Sequence, residues 1–395
     1  MYTKNQIDNF KIIEFEAREK KLINARPQEL KLKDSNKEKL HITYVMTWTG
    51  VCGGTKIILE HSNRLTERGH KITLISHDSR PDWFNLNSKI EFIQVPWGEI
   101  LGARIPKCDL IVATYWREMY ECVEQKIAPV VYFEQGDFHL FDLEKLDERT
   151  YNYIKKQFET VIFVYTVSSF AKRKIKELYN KEAIVIPNAV DDRIFFPNEN
   201  KDKNLENNEE INIALIGDGN SKFKKIGNIL DAIKTVQSEG YNIKVNWISP
   251  TEQERTDFKA IVNPPQMIIG NTLRESDIYI CASMYESFCL PVLEAMTCGV
   301  AVITTNNGGN MDFVEENKNA LLIEKNNVND IAEKIKILIN NPELRKKISN
   351  NGIETSRLFN WEKIIDKIEE YYKEVAKYSV SGGIWFEKGI NIWSC

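Results

Sequence analysis

The sequence predicts an α/β protein made of two doubly wound domains, each with a parallel sheet covered by helices on both faces. The chain has 395 residues, and about 150 residues per domain gives two to three domains. Short apolar runs alternate with stretches of helical periodicity in both halves of the chain. Between the halves lies an Asn- and acid-rich segment that cannot form a core. We therefore expect two domains that face each other across a cleft.

The composition excludes several classes of protein. The 53 basic and 57 acidic residues give a net charge of -4, which offers no attraction to nucleic acid. The seven cysteines contain no C-x-x-C pair and no zinc-finger spacing, which predicts reduced thiols, no metal site and a cytoplasmic protein. Because the sequence has neither a run of 18 apolar residues nor a secretory leader, we expect no spanning helix and no export.

Residues 1–40 are expected to form a charged N-terminal extension. The apolar residues Ile7, Phe10, Ile12, Ile13 and Phe15 are spaced for one face of a helix. Two interpretations stay open. The helix packs on its own domain, or it contacts a partner or the inner surface of a membrane.

The first domain is expected at residues 41–190. Its predicted strands lie in HITYVM, HKITLIS, EFIQVP, DLIVATY, APVVYF and TVIFVYTVS. Its predicted helices lie in TKIILEHSNRLTERG and around 119–125 and 170–179. Buried strands that alternate with helices are typical of βαβ units in a parallel sheet. Prolines then lead into the polar segment, which predicts a linker at about 188–210.

The second domain is expected at residues 191–360. Its predicted strands lie in INIALIG, YNIKVNWI, MIIG, DIYICA, VAVITT and ALLIE. Its predicted helices lie at about 226–237, 291–298, 328–339 and 343–356, with a last helix at 361–377. We expect residues 361–395 to form a crossover helix and a tail. The tail carries two Trp and one Phe, which would cover an apolar patch or form a homo-oligomer contact.

The stretch after DIYICA carries the most chemical information. Pro291 suits the first turn of a helix. The backbone N–H groups expected at the start of that helix, where an anion binds, belong to Phe288, Cys289 and Leu290. Glu286 precedes the helix and Glu294 lies in its first two turns, so both carboxylates can face one ligand. Because carboxylates accept hydrogen bonds from vicinal hydroxyls, the ligand is expected to be a sugar or a ribose.

This stretch resembles a known family. ESFCLPVLEAMTCGVAVI is similar to the E-G-F-G-L-P-x-x-E-A-M-A-x-G-x-P-V-I signature of the retaining glycosyltransferases of family 4, in which Glu286 and Glu294 form the E-x7-E element. Further elements follow the family order: GVCGGTKIILEHSNRLTERGHKITLIS, VIPNAVDDRIFFP, GGNMDFV with NALLIE, and FNWEKIIDKIEEYY. The resemblance covers about residues 41–375. It implies the GT-B fold of two Rossmann-like domains, with a C-terminal helix that crosses back to the N-terminal domain.

The resemblance implies roles for residues on the donor side. Glu294 would bind the ribose hydroxyls of a nucleotide, and Glu286 would contact the donor sugar as a catalytic residue. Family members hold the diphosphate with a basic residue after the first strand of the second domain. This chain has no arginine there but offers Lys225, which we place first as a catalytic group, then Lys222, with Lys224 close behind. Gly217 in the same loop would present backbone to the cleft.

On the acceptor side, Gly53 and Gly54 lie between a strand and a helix, where the missing Cβ lets backbone approach a phosphate or an acceptor closely. Gln135 stands about where many family members have a catalytic histidine. Asp137 and His139 are further acceptor-side candidates, although His139 is equally explained as an ordinary packed or surface histidine.

The predicted function is that of a retaining transferase that moves a sugar from a nucleotide-diphosphate sugar to an unidentified carbohydrate, lipid-linked or protein acceptor. Because lysines and helix amides would stabilise the leaving diphosphate, we expect no metal and no cofactor. Two alternatives stay open. They are a catalytically impaired, sugar-nucleotide-binding partner subunit of another transferase, which the change at Gln135 favours, and a nucleotide-sugar epimerase with the GT-B fold.

Overall fold

The computed structural model describes residues 4–33, 37–198, 210–254 and 257–380. The chain forms two compact units. The first unit contains residues up to Val167, Ala171–Ile186 and residues from Ile365 onward; the second contains Ser168–Phe170 and Pro187–Ile364. The predicted tail from residue 381, with its proposed apolar or oligomer contact, lies outside the described residues. So does the middle of the predicted linker, residues 199–209.

The strands in chain order are β1 Leu30–Leu32, β2 His41–Val45, β3 Lys71–Ser76, β4 Glu91–Gln94, β5 Leu110–Ala113, β6 Val130–Glu134, β7 Phe163–Thr166, β8 Ile184–Val185, β9 Ile211–Ile216, β10 Ile243–Ser249, β11 Ala260–Val262, β12 Ile278–Cys281, β13 Ala301–Thr305, β14 Leu321–Ile323 and β15 Tyr378–Val380. Strands β2 to β8 form a parallel sheet in the first unit, and β9 to β14 form one in the second. The fold class predicted from the apolar runs is therefore confirmed.

The α-helices in chain order are α1 Lys4–Leu22, α2 Gly53–Glu67, α3 Met119–Glu124, α4 Phe138–Phe141, α5 Glu148–Thr160, α6 Ser169–Tyr179, α7 Ile226–Ser238, α8 Gln266–Glu275, α9 Leu290–Thr297, α10 Val328–Asn340, α11 Pro342–Ser356 and α12 Trp361–Ala376. Several begin at side chains that satisfy a free backbone N–H group. Asp147 accepts from the Thr150 amide at 2.8 Å before α5, and Asn341 accepts from the Leu344 amide at 2.9 Å before α11. None of the described helices is long and apolar enough to cross a membrane.

The order of strands in each sheet determines where a ligand can bind. The first sheet runs β4-β3-β2-β5-β6-β7-β8, and the second runs β11-β10-β9-β12-β13-β14. In the first sheet the chain continues from β2 and from β5 toward opposite edges of the sheet. In the second sheet it does the same from β9 and from β12. The carboxyl ends of such neighbours form a crevice that commonly binds ligands in doubly wound sheets. Each unit thus has one such position.

Each sheet has its own apolar core. In the first unit, Val45, Ile111 and Val130 are completely buried between the sheet and its helices. In the second unit, Ile213 and Ile303 pack against helix α7 in the same way. Burial of one such side chain contributes about 1.5–3 kcal/mol. These cores hold the strand ends, and therefore the site loops, in fixed positions.

Helix α1 packs on its own unit, as the first interpretation of the N-terminal extension predicts. Buried Arg18 donates to Glu121 at 2.9 Å and also pairs with Glu14 at 3.2 Å. Neighbouring Glu118 accepts a hydrogen bond from the Thr47 hydroxyl. Burial raises the pKa of Glu118 to about 8, because the charged carboxylate is poorly solvated there.

Helix α12 leaves the second unit after Ile364 and ends in the first, so the predicted crossover helix is present. There the Tyr372 hydroxyl meets those of Tyr44 and Tyr165, at 3.2 and 2.7 Å. Strand β15 follows and pairs antiparallel with β1.

Two local expectations need correction. MIIG, residues 267–270, was expected to be a strand but lies in α8. Gly270 and Leu273 are buried three residues apart while Met267 and Ile268 are exposed, which is a helical pattern that four apolar residues alone do not reveal. Residues 188–195 of the predicted linker also include Asn188, Asp191 and Phe195, which are buried in the second unit.

Candidate active site

Two loops meet at the central crevice of the second sheet. Strand β9 leads into residues 217–225, and β12 leads into residues 282–289 before helix α9. The Phe223 and Tyr285 rings stack with centroids 5.0 Å apart and planes 11° apart. The Met284 amide donates to the Phe223 carbonyl at 2.8 Å. These contacts hold the two loops together beside α9.

An ion pair between Lys224 and Glu286 lies at this junction. The Lys224 Nζ and Glu286 Oε1 atoms are 2.5 Å apart, with the two side chains 22% and 16% exposed. Burial alone would lower the pKa of Lys224, but the Glu286 carboxylate outweighs it and holds that pKa above its ordinary value. The Glu286 backbone is fixed by hydrogen bonds to Asn307 and Gly309, at 3.0 and 3.1 Å. The pair therefore presents one fixed carboxylate and one ammonium group that is charged at neutral pH.

The three lysines of this loop lie in different environments. Lys224 contacts Glu286, while Lys222 is exposed. Lys225, the first choice from the sequence, is half-buried and precedes α7 in a left-handed conformation with φ 54°. Gly217 packs closely against Ile226, since a Cβ at Gly217 would lie 3.0 Å from its Cδ1 atom. The structure thus brings Lys224, rather than Lys225 or Lys222, to the predicted donor-sugar glutamate.

Helix α9 begins close to the predicted position. The helix begins at Leu290 with Pro291 in its first turn. Cys289 precedes it in a left-handed conformation with φ 70°. The first amides of a helix have no partner within it, so this end favours an anion. The Phe288 side chain turns inward and packs against Phe313 and Phe359, with ring centroids 5.3 and 5.9 Å away.

Glu294 and two cysteines lie in the same region. Glu294 lies in the second turn of α9 and is 8% exposed. The Sγ atoms of Cys281 and Cys289 are 3.6 Å apart. The ligand atoms of Cys281, Glu286 and Cys289 all lie within 4.8 Å of one another, a grouping of the kind that can hold a metal ion. The roles expected for Glu286 and Glu294 stay predictions.

A separate cavity of about 180 Å³ lies at the central crevice of the first sheet. Residues after β2, including Trp48, line one side, and residues after β5, including Tyr115, line another. The two rings contact at a centroid distance of 5.0 Å, and Trp48 is 40% exposed. Sequence reasoning missed these aromatic residues, although their position directly after two predicted strands was a usable signal.

The predicted acceptor-side residues Gln135, Asp137 and Gly54 all line this cavity. The Gln135 Nε2 atom donates to the Gly54 carbonyl at 3.1 Å, which ties the predicted catalytic amide to the start of α2. Asp137 caps α4 through the Phe138 amide at 2.7 Å and accepts from the Trp116 indole at 3.0 Å. A Cβ at Gly53 would meet no atom within 4 Å, so packing within the protein does not demand glycine there.

The structure does not place His139 in the cavity, contrary to its prediction as an acceptor-side candidate. Its side chain is completely buried and is not among the residues that line the cavity. Its ring lies between the Glu134 carboxylate at 3.1 Å and the Tyr179 hydroxyl at 3.0 Å. Burial would raise the pKa of Glu134, but His139, Tyr132 and the Gly136 amide together lower it. His139 therefore serves to satisfy a buried carboxylate, as in the packed alternative.

Comparison with known proteins finds similarity to glycosyltransferases. Residues 201–355 match the family model of glycosyl transferases group 1. An uncharacterized glycosyltransferase of Methanocaldococcus jannaschii is 31% identical over 230 residues, which cover 54% of this chain and 60% of that protein. The N-acetyl-alpha-D-glucosaminyl L-malate synthase of Bacillus anthracis is 24% identical over 84% of this chain and 97% of its own length.

Among solved structures, Anabaena HepE in complex with UDP-glucose aligns with a TM-score of 0.68 at 16% identity, over 85% of this chain and all of that one. At this identity the likeness concerns the fold. The chain spans 60% of the length of the archaeal relative. Residues 201–355 and the relatives thus show similarity to the group 1 glycosyl transferases, and the two parallel-sheet units with the solved structures show the GT-B fold.

Proposed function

We propose that this chain is a retaining glycosyltransferase that takes a sugar from a nucleotide-diphosphate sugar and passes it to an acceptor hydroxyl. The observation that carries the proposal is the Lys224–Glu286 pair beside the N-terminus of α9, with Glu294 on the same helix. A cation, a helix N-terminus and two carboxylates match the diphosphate, sugar and ribose of such a donor. Anabaena HepE, whose fold is similar, was solved with UDP-glucose.

In this proposal each donor group has its own partner. Glu294 accepts hydrogen bonds from the ribose, and Glu286 accepts from hydroxyls of the transferred sugar. Lys224 and the first amides of α9 neutralise the charge that develops on the diphosphate as the glycosidic bond breaks. Fixed positive groups in a partly buried site stabilise that charge better than water does, because they need no reorganisation. The reaction so described requires no metal ion.

We propose the cavity of the first unit as the acceptor site. Trp48 offers an exposed aromatic face, and Gln135 and Asp137 offer hydrogen-bonding groups. The described residues that line the cavity include no lysine or arginine. A hydroxyl-bearing, uncharged part of the acceptor fits this lining, since an aromatic face packs against a sugar ring and a phosphate would need a cation.

A turnover assay tests the proposal. The protein is incubated, with and without simple sugar acceptors, with UDP-, GDP-, dTDP- and ADP-sugars, and nucleoside diphosphate release is measured. We expect release from one donor class, and a large loss of turnover in Glu286→Gln. If a nucleoside diphosphate binds but no donor is consumed, the partner-subunit alternative is favoured. If a donor sugar changes configuration without leaving its nucleotide, the epimerase alternative is favoured.

A further inference from the structure

Two thiols meet beside Glu286. Cys281 ends strand β12, and Cys289 precedes helix α9. Both side chains are buried, and their Sγ atoms are 3.6 Å apart. Cys289 reaches this position with φ 70°, a conformation that a residue with a Cβ seldom adopts. The loop between them therefore turns so that the second thiol returns to the end of the strand.

The separation of the two sulfurs fits a shared metal ion better than a covalent bond. Two thiolates bound tetrahedrally to one zinc ion at about 2.3 Å lie about 3.8 Å apart, close to the 3.6 Å found here. A disulfide needs about 2.05 Å, so the sulfurs would have to move much closer together. A carboxylate oxygen of Glu286 lies within 4.8 Å of both sulfurs, which places a third ligand within a small side-chain adjustment.

We propose that Cys281, Cys289 and Glu286 form a binding site for a thiophilic divalent cation such as zinc, with a water molecule as the fourth ligand. Two sulfur ligands favour zinc over magnesium or manganese, which prefer oxygen. The ion binds the thiolates, so each coordinated thiol releases its proton to solvent. The site shares Glu286 with the proposed transfer reaction, but no metal takes part in that reaction.

The site competes with the Lys224–Glu286 ion pair. Glu286 cannot pair fully with the ammonium group and coordinate a cation at once. Because both side chains are partly exposed, an ion can reach the thiols past them. If the proposed function holds, a bound ion also removes Glu286 from the donor sugar, and zinc then inhibits transfer.

Cobalt titration tests the site directly, because cobalt bound to thiolates has a strong charge-transfer absorption. The full-length chain is titrated with Co²⁺ under reducing conditions, followed by displacement with Zn²⁺. We expect one cobalt per chain. Affinity should fall more than about 100-fold in Cys281→Ser and in Cys289→Ser, since each removes a direct ligand. Cys108→Ser, which removes a half-buried thiol in the first unit, is the matched control and should bind like wild type.

A Lys224→Met variant keeps all three ligands and removes the competing ammonium group. We expect it to bind cobalt about tenfold more tightly, because Glu286 no longer has a charged partner to give up. Absence of the charge-transfer band in wild type, or wild-type affinity for cobalt in Cys281→Ser or Cys289→Ser, overturns the site. Unchanged or weaker binding by Lys224→Met overturns Glu286 as a ligand. The absorbance does not depend on sugar transfer, so failure of the proposed function leaves this test unaffected.

Discussion

Replacement of Lys224 by methionine tests the role of the ion pair in the second unit. The change keeps most of the side-chain volume but leaves the Glu286 carboxylate without the ammonium group 2.5 Å away. Loss of one partner from a fully buried pair costs about 3–5 kcal/mol. Here both side chains retain some exposure, so we expect a loss of about 1–3 kcal/mol. At roughly 2–4 °C per kcal/mol, the melting temperature should fall by several degrees.

The same variant should bind nucleoside diphosphate more weakly. Hydrogen bonds to charged groups contribute about 1.5–3 kcal/mol, which corresponds to a roughly 10- to 150-fold rise in dissociation constant. The double variant Lys224→Met/Glu286→Gln separates the two effects. It removes both charges, so it should recover thermal stability without recovering affinity.

Isothermal titration calorimetry with uridine, guanosine, thymidine and adenosine diphosphates measures the affinity, and thermal melting measures the stability. Lys225→Met and Lys222→Met are the matched controls, because these lysines share the loop but do not contact Glu286. We expect near-wild-type affinity for both. Wild-type affinity in Lys224→Met together with loss in Lys225→Met would refute the assignment and restore the choice made from the sequence.

Three further predictions concern the glutamates, the metal requirement and pH. Glu294→Ala should weaken nucleoside diphosphate binding by about 1.5–3 kcal/mol, whereas Glu286→Ala should spare that affinity and lower turnover sharply; equal affinity losses in calorimetry would contradict the division of roles. Turnover should survive excess chelator, and abolition with rescue by manganese or magnesium would disprove metal independence. Glu118 stays protonated up to about pH 8 in the folded protein, whereas its carboxyl has the ordinary pKa of 4.5 in the unfolded chain. The free energy of unfolding therefore falls as pH rises from 4.5 to 8, because the unfolded chain then releases a proton that the folded protein still holds. Denaturant unfolding from pH 5 to 9 should therefore show a shallower loss, by up to about 1.4 kcal/mol per pH unit, in Glu118→Gln than in wild type; parallel curves would show that Glu118 is already ionised.

The sequence predicts most strands and helices of the fold, because elements such as β12 and α10 have clear periodicity and definite ends. Helix α5 was missed, although Asp147 before it is a typical N-cap. MIIG was misassigned because four apolar residues fit a strand and one face of a helix equally well.

The sequence predicts those parts of the site whose geometry follows from the spacing of residues along the chain. It does not predict the parts whose geometry depends on tertiary packing. The seven residues between Glu286 and Glu294 place both near the start of one helix. No pattern distinguishes the lysines of SKFKK, because their directions depend on the left-handed Lys225 and on the contact of Phe223 with Tyr285. His139 is a similar case, since only the fold reveals that it partners buried Glu134.

The central claim is sugar transfer with retention of configuration from a nucleotide-diphosphate sugar. The most direct measurement is time-resolved ¹H NMR of the accepted donor with wild-type protein, beside Glu286→Gln as the matched control. With an α-linked donor, the first product should carry the α anomeric signal, nucleoside diphosphate should appear at the same rate, and Glu286→Gln should leave the donor intact. A first product with the β configuration, or a wild-type spectrum that stays that of the unreacted donor across all four nucleotide classes, would contradict the claim.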